Sequence, residues 1–242
     1  THVRIVDITS KSKPGKAGAI LPGIAASRGE IICLTDADCR VPKTWVRRLV
    51  RQFDDSTGLV GGFTVLNEPD DNTPLFGRIQ SCDWLYLLSV ASATAAMGQP
   101  TSWVGNNLAV RRAAYDEIGG FEALDDTLVE DFALLKAIDR RTSWRIRFYP
   151  HRDSLVISTP AKNAREFYDQ RKRWASGIFE TRFFGLVIMT TGFLTHAALV
   201  LATLFHLQQV WQFWLFLFAV DYTLLRRAAA LLDRRDINRV FF

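Results

Sequence analysis

From Phe183 to Val220 the chain carries no Asp, Glu, Lys or Arg. A helix that crosses a hydrocarbon core of about 30 Å needs roughly 20 residues. The stretch is long enough for two such helices. Buried helices of soluble proteins are seldom so free of charge, which leaves a soluble core pair as the weaker reading. The expectation is a tight pair of spans, Phe183–Leu207 and Val210–Leu225, turning at Gln208-Gln209. Arg171, Lys172 and Arg173 precede the pair, and Arg226 and Arg227 follow it. Basic flanks mark the cytoplasmic side of a span. The charged part of the chain is therefore expected in the cytoplasm, on a multi-pass protein of the inner or plasma membrane.

The sequence ahead of this stretch has a different character, with charges throughout. Residues 1–180 are expected to form one α/β domain, 181–225 the two spans, and 226–242 a basic segment at the interface. Strands are expected at Val3–Ile8, Glu30–Thr35, Gly58–Leu66, Trp103–Val110, Trp144–Tyr149 and Leu155–Ser158. Helices are expected at Ala17–Ser27 (with a kink or break at Pro22), from Pro42, and at Pro74–Met97, Ala113–Ile118, Glu130–Arg140 and Ala164–Gly177. The apolar run Ile31-Ile32-Cys33-Leu34 suits a strand buried on both faces, and strands alternating with helices argue a largely parallel sheet. The chain has 242 residues and an excess of basic over acidic residues of +5. Much of that excess lies beside the apolar stretch, where it suits lipid headgroups or a phosphate-bearing substrate. No basic stripe with interleaved aromatics speaks for nucleic acid, which is not expected as a partner.

Asp36 and Asp38 leave the carboxyl end of a strand, the edge at which open α/β sheets bind ligands. Two acids one residue apart can turn toward one hard cation, Mg²⁺ or Mn²⁺, that also holds substrate phosphate oxygens. Such pairs are also common turn and cap residues. Glu130 and Asp131 either cap a helix or supply a base for an acceptor hydroxyl. Gln170 shares a helix face with Arg173 or Trp174. Arg grips phosphate in a fork and Trp offers a flat face for a sugar, while both residues also serve as interfacial anchors. The turn Lys13-Pro14-Gly15-Lys16-Ala17-Gly18-Ala19 runs into a helix and brings Lys16 near a phosphate, without Walker spacing. Asn106 and Asn107, after Gly105, either contact sugar hydroxyls or support a left-handed turn. His151 is read as a surface residue. Cys33, Cys39 and Cys82 show no ligand spacing and read as reduced thiols.

In this order the segments resemble family 2 glycosyltransferases. The resemblance runs through the Lys13–Ala19 turn and Gly29-Glu30-Ile31-Ile32-Cys33-Leu34-Thr35-Asp36-Ala37-Asp38. It continues through Val104-Gly105-Asn106-Asn107-Leu108-Ala109-Val110-Arg111-Arg112, Gly119-Gly120-Phe121 and Glu130-Asp131. Gln170-Arg171-Lys172-Arg173-Trp174 fits the Gln-x-x-Arg-Trp signature of cellulose, chitin and hyaluronan synthases and of some lipid glycosyltransferases.

The resemblance implies a GT-A fold, Rossmann-like with a mostly parallel sheet, and inverting transfer from a nucleotide-diphosphate sugar, expected to be a UDP-sugar, to a lipid or polysaccharide acceptor. It implies Asp38 and Asp36 at the metal, and Lys16, Asp36, Gln170 and Arg173 at the donor diphosphate. Asn106, Asn107, Glu130 and Trp174 would lie at the acceptor, with Asp131 as general base. The family's first strand and its nucleotide-base acid are not identifiable, so the chain reads as a piece of a longer protein, and whether the piece is active by itself stays open. That gap also motivates the alternative of a non-catalytic membrane scaffold that keeps the fold.

Overall fold

A computed structural model describes residues 4–8, 13, 15–67, 73–102, 105–124, 129–175, 183–205 and 210–234. The expected turn at Gln208-Gln209 lies outside these residues, as do Trp103 and Val104.

Six strands are described: β1 (Ile31–Leu34), β2 (Thr57–Gly62), β3 (Thr64–Leu66), β4 (Leu108–Arg111), β5 (Arg145–Tyr149) and β6 (Val156–Ser158). The helices are α1 (Gly15–Ala26), α2 (Trp45–Val50), α3 (Leu75–Ala96), α4 (Arg112–Glu117), α5 (Glu130–Arg141), α6 (Ala164–Ala175), α7 (Phe183–Leu204) and α8 (Val210–Leu231). A four-stranded sheet has the order β1-β4-β2-β5, and β3 pairs with β6 in a second, two-stranded sheet. The β2–β5 and β3–β6 pairs are parallel, whereas β4 runs antiparallel to both β1 and β2. The α/β expectation holds. The mostly parallel sheet needs correction at β4, although β1, β2 and β5 do share one direction.

Two further differences from the sequence reading have clear causes. The run expected as one strand at 58–66 is divided at Phe63 between the two sheets. The Asn107 amide enters at that point and donates to the Phe63 carbonyl oxygen at 2.7 Å, while the Gly62 N–H donates to the Asn107 carbonyl at 2.8 Å. Residues 4–8 form no strand, and Ile5 is 88% exposed. A β-branched run becomes a strand only where a ladder and a packed face receive it. The α1 helix passes through Pro22 without breaking.

Three apolar clusters hold the fold. One joins α1 and α5 to the large sheet, with Leu21, Ile24, Ile32, Leu59, Val110 and Leu134. Another packs Trp45 and Leu49 on Val60, Ala109 and Val156. The third lies under α3 and includes Phe63, Val65, Leu85 and Leu88, together with Leu225, Ala229 and Leu232 from the last helix and the residue after it. α8 therefore runs past the expected end of the second span at Leu225. Its carboxyl half is part of the domain core, and Arg234, almost fully buried, donates to the Asn67 carbonyl oxygen at 2.9 Å. Among the described residues one helix, α7, is long and apolar enough to cross a membrane. α8 carries Asp221, Arg226 and Arg227, which interrupt its apolar character.

Candidate active site

The reversed strand β4 assembles the site. Because β4 is antiparallel to β1, Leu108 at its start stands opposite Leu34 at the end of β1. The loop ahead of β4 is thereby brought beside Thr35 and Asp36. The Thr35 hydroxyl donates to the Asn106 carbonyl oxygen at 2.9 Å and fixes this approach. α5 then lays its first turn on the same loop. A Cβ at Gly105 would stand 2.7 Å from the Asp131 Cβ and 2.8 Å from its Oδ2, so only glycine lets the backbone pass this close.

Four charged residues converge here. Lys16, in the first turn of α1, forms an ion pair with Asp36 and lies 3.5 Å from Glu130 Oε1. The Lys16 ammonium is partly desolvated, which favours its neutral form. The pair with Asp36 and the charges of Glu130 and Asp131 outweigh this, so its pKa stands above the usual lysine value. Burial, followed by the neighbouring Glu130 charge, pushes Asp131 up to about 6. The backbone N–H groups of Phe132 (2.8 Å to Oδ1) and Gly105, together with Lys16, pull it the other way. The outcome is a carboxylate poised near neutrality at the edge of the cluster, a state suited to a general base.

On the other side, Asp36, Asp38 and the Cys39 thiol place one ligand atom each within 4.8 Å of one another. Cys39 was not singled out by spacing. It joins the acids because the chain turns sharply after β1, with the Cys39 N–H donating to the Asp36 carbonyl oxygen at 3.1 Å. Arg40 then forms an isolated antiparallel bridge with Ile157 of β6. Two carboxylates suit Mg²⁺ or Mn²⁺, and a thiol beside them is tolerated better by the softer Mn²⁺.

The structure moves two expected acceptor residues into the scaffold. Asn107 is completely buried. Its Oδ1 accepts from Trp45 Nε1 at 2.8 Å, and its Nδ2 donates to the carbonyl oxygens of Phe63 and Ser154 at 2.7 and 3.0 Å. Asn106 Oδ1 accepts from the Thr64 hydroxyl at 2.7 Å. Both side chains tie strands together, and a fully buried amide with filled valences has nothing left for a sugar. His151 stacks on Tyr149 with ring centroids 5.2 Å apart, and its Nδ1 accepts from the Asp153 N–H.

The Gln-x-x-Arg-Trp helix, α6, packs on α3. Arg171 pairs with Asp83 and lies between the rings of Phe167 and Trp174, at 4.7 and 4.6 Å. Trp174 leans on Trp84 with centroids 4.9 Å apart. Burial raises the Asp83 pKa even though Arg171 opposes this. Arg173 is exposed and Gln170 half-buried. Asp83 and Trp84 had no signal in the sequence beyond their place in an apolar helix.

The profile of glycosyl transferase family 21 matches residues 5–240. The chain belongs to that family. The expectation of a glycosyltransferase is thus met, with family 21 as the matching profile where the motifs resembled family 2. Among curated relatives, "Probable glycosyltransferase YdaM" of Bacillus subtilis is 29% identical over 172 residues, covering 67% of this chain and 38% of its own. "Beta-monoglucosyldiacylglycerol synthase" of Synechocystis sp. is 25% identical over 188 residues, covering 74% of this chain and 36% of its own. The chain therefore spans under two fifths of the length of these relatives. A solved structure titled "Crystal Structure of a Mycobacterial Protein" aligns with TM-score 0.37 and 21% identity over 65% of this chain and 48% of its own, a likeness too distant to bear on function.

Proposed function

We propose that the full-length protein is an inverting glycosyltransferase of GT-A type that moves a sugar from a nucleotide-diphosphate donor, of the UDP-sugar class, to a hydroxyl of a membrane lipid. The observation that carries this reading is the convergence of Asp131, Glu130, Lys16 and Asp36 on one sheet edge. Family membership supports sugar transfer, and the names of the relatives in the synthase group favour a lipid over a polysaccharide acceptor.

Asp131 takes the proton of the acceptor hydroxyl. The acceptor oxygen bonds to the anomeric carbon from one face while the bond from that carbon to the diphosphate oxygen breaks on the other. The diphosphate leaves with the electron pair, and the configuration inverts. Lys16, within reach of Asp36 and Glu130, faces the negative charge that grows on the leaving diphosphate. Gly105 keeps Asp131 in place and excludes any side chain from the gap behind it. The donor set of Asp36, Asp38 and Cys39 fits Mg²⁺ or Mn²⁺, which would supply further neutralisation of the diphosphate when bound. Gln170, Arg173 and Trp174 are proposed to border the donor and acceptor, and α7 with α8 to hold the domain at the cytoplasmic face of the membrane.

The test is radiolabelled sugar transfer from a panel of UDP-sugars into the lipid fraction by the full-length protein in vesicles. Transfer that requires Mg²⁺ or Mn²⁺ and stops on chelation is the expected result. A protein that binds no nucleotide sugar under any of these conditions would leave the scaffold alternative standing instead.

A further inference from the structure

α6 carries the Gln-x-x-Arg-Trp segment, yet none of its 12 residues is fully buried. Its start is set locally. Asn163 Oδ1 accepts from the Glu166 N–H at 2.9 Å, and Glu166 Oε2 accepts from the Lys162 N–H at 2.9 Å. Such a cap starts a helix without giving it a place on the domain. Phe167, Gln170, Arg171 and Trp174 are half-buried, and steps of three and four residues put them on one face.

α3 receives that face. Its Gln80, 1% exposed, pairs with the Ala161 peptide just before α6 begins. Nε2 donates to the Ala161 carbonyl oxygen at 3.0 Å, and Oε1 accepts from the Ala161 N–H at 2.9 Å. One turn further along α3, Asp83 forms its ion pair with Arg171. Ring contacts flank the pair, with Phe76 and Phe167 centroids 5.9 Å apart and those of Trp84 and Trp174 4.9 Å apart. Rings in contact tolerate sliding. The Arg171 guanidinium is a planar fork held over the rings of Phe167 and Trp174, so it offers its donors to a carboxylate in a fixed direction. α3 is itself tied to the sheet, because the Ser81 hydroxyl donates to the Leu66 carbonyl oxygen of β3 at 2.8 Å.

We propose that Asp83 is a positioning residue for sugar transfer. Through Arg171 it sets the rotation of α6 about its own axis, and with it the direction in which Gln170, Arg173 and Trp174 face donor and acceptor. Arg171 lies between Gln170 and Arg173 in the chain, so a roll of α6 that breaks the Asp83 pair turns both. Gln80 fixes where α6 begins, and Asp83 fixes how it is turned. The inference rests on the assignment of α6 to the substrates and adds the residue that orients it.

The experiment uses the full-length protein labelled with 5-fluorotryptophan in lipid nanodiscs. The Trp174 fluorine resonance is assigned by its loss in Trp174→Phe, and kcat and KM for transfer are measured on the same preparations. Asp83→Asn should move the Trp174 resonance. Asp83→Asn and Arg171→Met should each lower kcat/KM by about ten- to hundredfold, the scale of a small misplacement of a substrate-binding element. The double variant should lose no more than the worse single one, since both break the same link. Melting temperature should change by less than about 4 °C, because a half-exposed ion pair adds little to stability. A Trp174 resonance unmoved in Asp83→Asn, a wild-type kcat/KM in that variant, or losses that multiply in the double variant overturns the positioning role. Wild-type protein that transfers no sugar, with the resonance still moved by Asp83→Asn, refutes the transfer reading and leaves Asp83 as the residue that orients α6.

Discussion

Gly105 and Asp131 are in backbone-to-carboxylate contact, with room for no atom between them: a Cβ at 105 would stand 2.7 Å from the Asp131 Cβ. The glycine comes from the loop before β4 and the acid from the first turn of α5, so this single contact joins the sheet edge to the helix that carries the proposed base.

Gly105→Ala must therefore displace Asp131. Overpacking of this kind destabilises by about 1–3 kcal/mol. The expected result is a large fall in kcat for sugar transfer with donor affinity retained, since Lys16 and Asp36 are untouched. Unaltered kcat in this variant would mean that Asp131 is not held where the chemistry occurs.

Asp131→Asn should make the protein more stable above pH 6 while removing the proposed base. The folded-state pKa of Asp131, about 6, lies above its ordinary 3.8, so the folded protein holds the proton more tightly than the unfolded chain. The ionised carboxylate thus lowers stability at pH above 6, and the penalty fades as pH falls through 6 toward 3.8. The full shift corresponds to about 3 kcal/mol; partial exposure of the residue puts the expected gain at about 1–3 kcal/mol. Thermal unfolding at pH 8 and pH 4 checks it: the variant should melt higher than wild type at pH 8 and equally at pH 4.

Asn107 supplies a test of scaffold against substrate contact. Asn107→Ala leaves the Trp45 indole N–H and the carbonyls of Phe63 and Ser154 without their buried partner. The expected cost is about 3–4 kcal/mol, seen as a lower denaturation midpoint. A variant with wild-type stability and a raised acceptor KM would return Asn107 to the acceptor.

Much of this was legible in the sequence because the strongest signals were local. The apolar run Ile31–Leu34 bounded by Asp36, and the acids opening α5, fixed the two ends of the site by chain position alone. The charge-free stretch gave α7 almost to the residue. What sequence did not carry was direction and partnership. Nothing in Leu108–Arg111 says that β4 runs backward, because period and composition are the same either way, yet that reversal is what sets the Gly105–Asn106 loop beside Thr35. The division of the 58–66 run depends on the distant Asn107 amide, and the Asp83–Arg171 pair on how α6 lies over α3. Helix α8 runs on past Leu225 because Leu225, Ala229 and Leu232 pack into the domain core, a partnership invisible to hydropathy.

Lys16→Met should move the acidic limb of the pH–rate profile upward. Lys16 is one of the influences that lower the Asp131 pKa, so its loss lets burial and Glu130 act with less opposition. Lys16→Arg should keep the limb near its wild-type position. A profile of kcat/KM that does not shift in Lys16→Met would separate Lys16 electrically from the base.

The most direct measurement compares full-length wild type with Asp131→Asn for sugar transfer into the lipid fraction at pH 8, with donor Kd determined by calorimetry on the same preparations. Removal of a general base is expected to lower kcat by about 10²–10⁴-fold while donor Kd stays within about twofold. Transfer by Asp131→Asn at the wild-type rate would contradict the account.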